Sequence, residues 1–360
     1  MTLAPLAGHH EARKRLADAF RANRIPQVLL FVGPRGIGRQ RLALWLAQLL
    51  VCEHPGDEPC GTCFPCRKVL GLSHPDVHWL VPMPRPKAAE PGKQIEEAAE
   101  TLAAILAERR EAPLYGALDG MASHSIASVR LLQRQATLSA VEAKHRVFII
   151  GDAERLVPQE SADAAANALL KLLEEPPAGA VIILTVADPQ RLLPTIRSRT
   201  VPLRLQPLPS VDVKAFLEQH GTVPARELDR RVRDAAGSIG AALWLDESSA
   251  AVRESAVAFL ESLGRGQGAR LSRALRQGPY EARGDFTAML DALSESLMSA
   301  ARVSVNGPRR GASPEVLRGR DPETLLEAAR CVTDAREAAQ DNVNPQLLLA
   351  ALGEQLAEIL

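Results

Sequence analysis

A glycine-rich segment near the amino terminus has the spacing of a phosphate-binding loop. It spans residues 33–40, with the sequence GPRGIGRQ, directly after the apolar run Val28–Val32. Such a loop wraps the β-phosphate with backbone N–H groups, while a lysine reaches the phosphates and a serine or threonine holds Mg²⁺. Arg39 and Gln40 occupy those two positions, and neither is a conservative replacement. The candidate nucleotide-binding residues are Gly33, Gly36, Gly38 and Arg39. We expect this degenerate loop not to support hydrolysis, while bare nucleotide binding stays open.

The strand that would complete such a site also lacks its main acidic residue. An ATPase of this design needs an aspartate at the end of a buried strand for Mg²⁺ and a glutamate beside it for the attacking water. Here Val147–Ile150 is followed by Gly151 and then by the shorter Asp152. Asp152 is either a remnant of the site or a helix N-cap, and the cap is favoured because aspartate caps helices readily. Three parts of the ATP-hydrolysis mechanism are therefore missing together: the loop lysine, the loop hydroxyl and the strand aspartate.

Four of the five cysteines are crowded into one short segment with the spacing of a metal site. They follow the pattern C-x7-C-x2-C-x2-C, and a glycine-threonine pair within it provides a tight turn. Four sulfur ligands suit tetrahedral Zn²⁺ with no open position, so the site is predicted to be structural. The predicted metal ligands are Cys52, Cys60, Cys63 and Cys66.

Other residues of similar chemistry are not assigned to this cluster. His54 and His74 flank it, but four cysteines already complete a tetrahedral set. Cys331 stands alone in a helical pattern and is expected to be a small buried apolar side chain.

The bulk composition limits the partners that these residues could serve. The chain has 360 residues, enough for two or three domains, and its 43 basic and 43 acidic residues give no net charge. No global field therefore attracts nucleic acid or a membrane, and 3% aromatic residues argue against a stacking platform for single strands. No apolar run reaches membrane-span length and no secretion signal is evident, so we expect a cytoplasmic protein.

The glycine loop and the cysteines must be positioned by alternating strands and helices. The predicted strands are Val28–Val32, Val77–Val81, Arg146–Ile150 and Val181–Val186. The predicted helices between and before them are Leu6–Arg24, Arg41–Val51, Gln94–Arg110, Ser125–Ala140 and Ala162–Glu174. This alternation predicts an α/β fold, with a parallel sheet covered by helices on both faces.

The pattern becomes wholly helical after Leu203. Residues 211–220 and 225–242 are predicted to form short helices, and 252–360 is helical throughout apart from two breaks. We therefore expect three domains. They are an α/β nucleotide-binding-like domain (1–205) containing the cysteine module (52–66) and an insert (83–121), a helical lid (206–248) and an all-α domain (249–360).

Two further motifs carry a family resemblance. The segment DAAANALLKLLEEPP at 163–177 and the segment LPTIRSRT at 193–200 resemble bacterial clamp-loader subunits of the AAA+ class. The cysteine cluster after the loop helix and the sequence NVNPQL at 342–347 are similar to that family as well. The resemblance runs from near residue 6 to the carboxyl terminus and is weakest across 83–121 and 252–341.

The resemblance implies the fold and assigns a role to one arginine. The fold would be an AAA+ P-loop NTPase-type parallel sheet with a helical lid, followed by an all-α collar domain. The family's Ser-Arg-Cys motif corresponds to Ser198, Arg199 and Thr200, which makes Arg199 an arginine finger acting in trans on a neighbouring subunit's ATP. The lid arginine of the family is replaced by Gly240, so the resident site loses another ligand.

The resemblance also implies a function with partners. The chain would be the non-hydrolysing stator of the DNA polymerase III clamp loader, working with gamma/tau and delta subunits to place the sliding clamp on primed DNA. No intrinsic ATPase activity and a structural zinc ion are expected. One alternative is an active gamma/tau-like ATPase in which Arg39 replaces the lysine. The other, a zinc-bearing DNA-binding protein, has slight support from basic residues at Arg130, Arg134, Lys144 and Arg146.

Overall fold

The computed structural model of the chain describes residues 3–4, 6–114, 122–156, 163–220, 223–243, 247–278, 285–306, 314–339 and 343–360. Residues 115–121 of the predicted insert and Asn342 of the last motif lie outside these ranges. The chain divides into two compact units, Met1–Trp244 and Leu245–Leu360. The finer division into three domains stays a prediction.

Five described strands form one parallel sheet in the first unit. They are β1 (Val28–Val32), β2 (Val77–Leu80), β3 (Arg146–Ile150), β4 (Ala180–Val186) and β5 (Val201–Arg204), in the order β2-β3-β4-β1-β5. Strands β1, β3 and β4 are buried along their whole length, as expected for a parallel sheet covered on both faces. The predicted parallel α/β fold is confirmed. Strand β5 was not predicted, because it is short and mostly exposed.

Helices flank the sheet and make up the second unit. The described helices are α1 (His10–Arg21), α2 (Arg39–Val51), α3 (Phe64–Leu70), α4 (Pro91–Glu111), α5 (Ile126–Ala136), α6 (Asp163–Glu174), α7 (Pro194–Arg197), α8 (Ser210–His220), α9 (Ala225–Asp234), α10 (Ile239–Leu243), α11 (Glu247–Leu263), α12 (Gln267–Leu275), α13 (Asp285–Asn306), α14 (Pro322–Ala338) and α15 (Pro345–Ile359). Helices α11 to α15 share a separate apolar core in the second unit. Among the described residues, none of these helices is both long and apolar enough to span a membrane.

Helix α5 is shorter than its predicted range. It ends at Ala136, where the Arg146 guanidinium donates to the carbonyls of Gln135 and Ala136, and the buried Asp76 carboxylate holds part of the loop that follows. That carboxylate accepts hydrogen bonds from the backbone N–H groups of Val141, Glu142 and Ala143 at 2.7–2.8 Å. Burial alone would raise the pKa of Asp76, but these N–H groups hold the pKa below its usual value.

The predicted helix at 225–242 is broken into α9 and α10. The break lies at Ala236 and Gly237, which both have positive φ angles, of 47° and 87°. A Cβ at Gly237 would lie 2.6 Å from the Leu208 carbonyl oxygen, so only glycine allows this close approach. The turn directs α10 toward the glycine loop.

Candidate functional site: a closed phosphate loop, a surface arginine and a cysteine cluster

The glycine loop connects β1 to α2 at the carboxyl edge of the sheet. Strand β1 lies between β4 and β5, so the strand order reverses there, and such a reversal is the usual ligand position in open α/β sheets. Gly36 and Gly38 have φ angles of 73° and 102°, which other residues rarely adopt. The loop thus keeps the backbone conformation that its glycines predicted.

The side chain of Arg39 is folded into this loop. Only 5% of Arg39 is exposed, and its Nη1 group donates to the Gly33 carbonyl at 2.8 Å. Its Nη2 group lies 3.0 Å from Oδ1 of Asp152. Burial lowers the pKa of Arg39, while the Asp152 and Glu154 carboxylates oppose that effect. The loop cation is therefore paired with a carboxylate of its own chain.

Gln40 fills the position of the metal-binding hydroxyl with an internal network. Its Nε2 group donates to Oδ2 of Asp152 at 2.9 Å, and its Oε1 atom accepts from the Trp79 indole at 3.1 Å. A Cβ at Gly151 would lie 2.7–3.0 Å from the Gln40 amide, so an aspartate there could not coexist with this rotamer. Both oxygens of Asp152 accept from side chains. Asp152 also directly precedes the short 3₁₀ helix Ala153–Leu156, so its interpretation as a helix cap stays a prediction.

Helix α10 closes the loop from the other side. The backbone N–H of Gly240 donates to the Gly36 carbonyl at 2.9 Å, and the Ser238 hydroxyl donates to the Arg35 carbonyl at 3.0 Å. A Cβ at Gly36 would lie 2.3 Å from Ser238 Oγ. The carbonyls of Arg35 and Gly36 are thus already hydrogen-bonded to the segment at the start of α10, a contact that sequence patterns did not reveal.

Two buried polar residues beside the loop were not found from the sequence. Glu154 is 2% exposed, and its Oε1 atom accepts from the Ala187 N–H at 3.2 Å. His124 is 3% exposed, its Nε2 group donates to the Gly151 carbonyl at 2.7 Å, and its Nδ1 atom has no partner among the described residues. Burial lowers the pKa of His124 to about 4. Neither residue belongs to a periodic or spaced pattern that could have identified it.

The buried imidazole of His124 predicts loss of stability in acid. Its pKa falls from 6.5 in the unfolded chain to about 4 in the fold, so the unfolded state takes up the proton first. The stability that depends on a neutral His124 is complete above pH 6.5 and is lost as the pH falls toward 4. By pH 5 the loss is about 2 kcal/mol. We expect His124→Gln, which keeps a donor for Gly151 but does not titrate, to reduce the stability difference between pH 7.5 and 5 by that amount.

Urea unfolding of both proteins at the two pH values measures this difference. His10→Gln, at an exposed position, is the control and should leave the pH dependence unchanged. Equal pH dependence in wild type and His124→Gln would contradict the prediction. Some acid sensitivity should remain in the variant, because burial also lowers the pKa of His78 to about 4.

Arg199 lies on the surface just after α7. Its Nη1 group donates to the Thr195 carbonyl at 2.9 Å, and its Nη2 group pairs with Oε1 of Glu174 at 2.5 Å. About a third of the Arg199 side chain is exposed. None of its described hydrogen bonds or ion pairs reaches the glycine loop, so the structure does not bring these two predicted sites together. The role of Arg199 as a finger stays a prediction.

The four clustered cysteines converge on one point. All four sulfur atoms lie within 4.8 Å of one another, and Sγ of Cys63 is 4.0 Å from Sγ of Cys52. A tetrahedral thiolate site with metal–sulfur bonds of about 2.3 Å has sulfur–sulfur edges of about 3.8 Å. The four residues could therefore hold a metal ion after a small contraction.

Backbone donors support negative charge in this cluster. The N–H of Cys60 points to Sγ of Cys52 at 3.4 Å, and the N–H of Cys63 points to Sγ of Cys60 at 3.3 Å. The backbone N–H groups of Cys63 and Thr62 lower the pKa of Cys60 to about 6, whereas burial raises the pKa of Cys66. The turn at Gly61, with φ 71°, allows the N–H groups to converge.

The cysteine module is tied to α2 by one carboxylate. Glu58 accepts from the Trp45 indole at 2.6 Å and from Nε of Arg13 at 2.8 Å. Gln48, also on α2, donates to the Cys66 carbonyl at 3.2 Å. The cluster therefore braces the helix that begins at the glycine loop.

The two neighbouring histidines and Cys331 lie outside the cysteine cluster. His54 is exposed, and His74 is buried with its Nδ1 atom accepting from the Asp76 N–H at 3.1 Å, so neither joins the four sulfur atoms. Cys331 is half-buried against the core of the second unit. Arg146 is buried and donates to the Ala136 carbonyl at 3.0 Å at the end of α5. It therefore gives no support to a DNA-binding surface.

The family model and several curated relatives that match this chain are DNA polymerase III proteins. Residues 8–209 match the model of a family described as DNA polymerase III, delta subunit. The chain is 29% identical to DNA polymerase III subunit delta' of Escherichia coli, covering 94% of this chain and 91% of that protein. It is 30% identical to subunit delta' of Bacillus subtilis, covering 54% of this chain and 46% of the relative.

Similarity extends to gamma/tau subunits. The chain is 30% identical to DNA polymerase III subunit gamma/tau of Mycobacterium tuberculosis, covering 96% of this chain and 54% of that protein. It thus spans about half the length of this relative and of the Bacillus subtilis protein. A gamma-subunit-related protein from Thermotoga maritima aligns over 98% of this chain and 99% of its own, with a TM-score of 0.41 and 15% identity.

Proposed function

The chain belongs to the family described as DNA polymerase III, delta subunit, a clamp-loader family of the AAA+ class, and on that premise we propose that it is the delta-prime stator of a clamp loader. In this role it binds gamma/tau and delta subunits and helps to place the sliding clamp on primed DNA. It contributes structure and one side chain to the DNA polymerase III holoenzyme, and it does not hydrolyse ATP itself.

The closed glycine loop carries this proposal. Asp152 accepts hydrogen bonds from Arg39 and Gln40. In an ATPase, a lysine, a hydroxyl and Mg²⁺ would act at these positions. The lid residue Gly240 adds a backbone bond to the loop at Gly36. A nucleotide entering the loop would have to break this network without gaining a metal ligand from Gln40 or Gly151.

The surface arginine supports an action on a neighbour. Arg199 donates to the Thr195 carbonyl at a helix end, and about a third of its side chain is exposed. A planar, always-charged fork suits the developing charge on a transferred phosphoryl group. We propose that Arg199 completes the active site of the adjoining gamma/tau-type subunit.

The cysteine cluster is proposed to hold a structural zinc ion. Cys52, Cys60, Cys63 and Cys66 form a closed set of four thiolates, which leaves no coordination position for a substrate. When bound, the ion would supply only cross-linking of the module that contacts α2.

ATP hydrolysis by the isolated chain is the direct test of the proposal. We expect phosphate release from radiolabelled ATP to remain at the background of a no-protein control, with Mg²⁺ present or absent. Turnover comparable to that of a gamma/tau subunit assayed in parallel would overturn the stator assignment.

Replacing Arg39 distinguishes an internal ion pair from a nucleotide ligand. We expect Arg39→Ala to lower the free energy of unfolding by about 2–3 kcal/mol, because Asp152 loses its partner; partial exposure of Asp152 keeps the loss below that of a fully buried pair. Denaturant unfolding without nucleotide measures the change. Arg24→Ala, at an exposed position after α1, is the control and should change stability by about 0.5 kcal/mol or less. Unchanged stability of Arg39→Ala would contradict the internal pairing.

An active gamma/tau-like ATPase remains the second candidate. The observation in its favour is the 30% identity to a gamma/tau subunit across 96% of this chain. This candidate requires Arg39 to leave Asp152 and bind phosphate. Mg²⁺-dependent nucleotide binding by the isolated chain, measured by calorimetry, would favour it over the stator.

A further inference from the structure

The proposed finger already has a counter-ion within its own subunit. Glu174, the last residue of α6, places Oε1 2.5 Å from Nη2 of Arg199. Glu174 belongs to the motif at 163–177, whereas Arg199 belongs to the motif at 193–200. The structure therefore joins the two segments through one ion pair.

This pair is incompatible with full use of the finger. A guanidinium stabilises charge on a phosphoryl group through its unneutralised positive charge. With the Glu174 carboxylate in contact, the Arg199 charge is largely cancelled at any distance beyond the pair. Engagement of a phosphate in trans therefore requires Nη2 of Arg199 to exchange its partner.

The geometry allows this exchange at one edge of the guanidinium. Nη1 is held separately by the Thr195 carbonyl at 2.9 Å and is 3.4 Å from Ser198 Oγ. These contacts lie within the same short segment as Arg199, so they do not depend on Glu174. The Nη2 edge can pass to a phosphate oxygen while the other edge stays anchored.

Partial exposure of both side chains keeps the free-energy cost of opening the Arg199–Glu174 pair small. The side chains of Arg199 and Glu174 are 34% and 47% exposed. Ion pairs with this exposure change an equilibrium constant by at most about fivefold, or about 1 kcal/mol. A γ-phosphate offers more negative charge and stronger charge-assisted hydrogen bonds than a single carboxylate, so it outcompetes Glu174.

The position of Glu174 explains why it holds a cation at all. A carboxylate at the carboxyl end of a helix is disfavoured by the helix dipole, and a nearby cation offsets that cost. Within the described residues, Arg199 supplies this cation. Glu175, the next residue, is exposed and has no such contact with Arg199.

We infer that Glu174 is a positioning residue for Arg199. The Glu174 carboxylate neutralises the Arg199 guanidinium until the γ-phosphate of the neighbour's ATP replaces Glu174 as the partner. The inference rests on the proposed role of Arg199 in trans. Because the γ-phosphate is present in ATP and absent from ADP, the cost of opening the pair falls on ATP binding. Glu174 thereby lowers the affinity of the adjoining site for ATP and leaves its affinity for ADP unchanged.

The test uses the reconstituted clamp loader with one competent ATP site, the site next to this chain. The other ATPase subunits carry inactivating substitutions in their own phosphate loops. We expect Glu174→Gln to lower the KM for ATP by two- to fivefold at low ionic strength, with kcat and ADP inhibition unchanged. The gain should shrink as salt is raised, because salt screens exposed pairs.

Two variants make the outcome decisive. Glu175→Gln removes the same charge one residue away and should behave as wild type. An unchanged or higher KM in Glu174→Gln, a fall in its kcat, or an equal effect of Glu175→Gln would overturn the inference. If Arg199→Ala lowers hydrolysis while Glu174→Gln matches wild type, the finger stands and only the role of Glu174 fails. If Arg199→Ala has no effect, the proposed function itself fails.

Discussion

Arg199→Ala is expected to lower kcat for ATP hydrolysis at the adjoining site by on the order of 10²- to 10³-fold, the usual effect of removing one preorganised charge donor. The substitution removes a guanidinium that donates to the Thr195 carbonyl on a partly exposed side chain. Folding should be little affected, because the ion pair that is lost among the described residues, the one with Glu174, is exposed. Arg199→Lys should give an intermediate rate, since lysine keeps the charge without the planar fork.

The measurement needs a complex in which hydrolysis reports on one site. In a clamp loader whose other ATPase subunits are inactivated, single-turnover hydrolysis isolates the site next to this chain. Arg197→Ala is the matched control, because Arg197 lies two residues away on the same segment and its Nη1 group donates to Gln190 at 2.7 Å. Wild-type kcat in Arg199→Ala, or an equal loss in both variants, would show that Arg199 is not a finger.

The sequence predicted the elements whose signals are local. Buried strands such as Arg146–Ile150 are continuous apolar runs, and the structure has them at those positions. The cysteine cluster was predictable for the same reason, since its four residues span only Cys52 to Cys66 and the turn between them contains a glycine. Short spacing left few alternative arrangements.

Helix ends were less predictable because distant residues set them. The pattern of Ser125–Ala140 is helical throughout, yet α5 stops at Ala136. The loop that follows it is held by Asp76, which is more than sixty residues away in sequence from the N–H groups it binds. No local pattern contains that information.

The closed loop shows the same limit at the site. The identities of Arg39 and Gln40 were enough to predict that the loop is degenerate. The way in which it is closed was not predictable, because Gln40 binds Asp152 across 112 residues and the Ser238 hydroxyl binds the Arg35 carbonyl across 203. Gly240 was identified as a lost ligand, but its backbone contact with the loop required the fold.

Loss of the proposed zinc ion is expected to destabilise the first unit by about 4 kcal/mol or more, the range reached when a metal site is removed. Without the ion, the sulfur atoms of Cys60 and Cys63 would face two other sulfur atoms with no cation between them. The module would then release Glu58, which accepts from Trp45 and Arg13. The double variant Cys60→Ser/Cys63→Ser should therefore contain no zinc and unfold at a clearly lower temperature.

Metal content and thermal unfolding, measured on the same preparations, test this expectation. Wild type should contain one zinc ion per chain, and a strong chelator should reduce its stability to that of the double variant without reducing the variant further. Cys331→Ser is the matched control, because Cys331 lies on α14 in the other unit and should leave zinc binding intact. A metal-free wild-type protein that is as stable as the zinc-loaded form would contradict a structural role for the cluster, since the four sulfur atoms would then hold their positions without an ion.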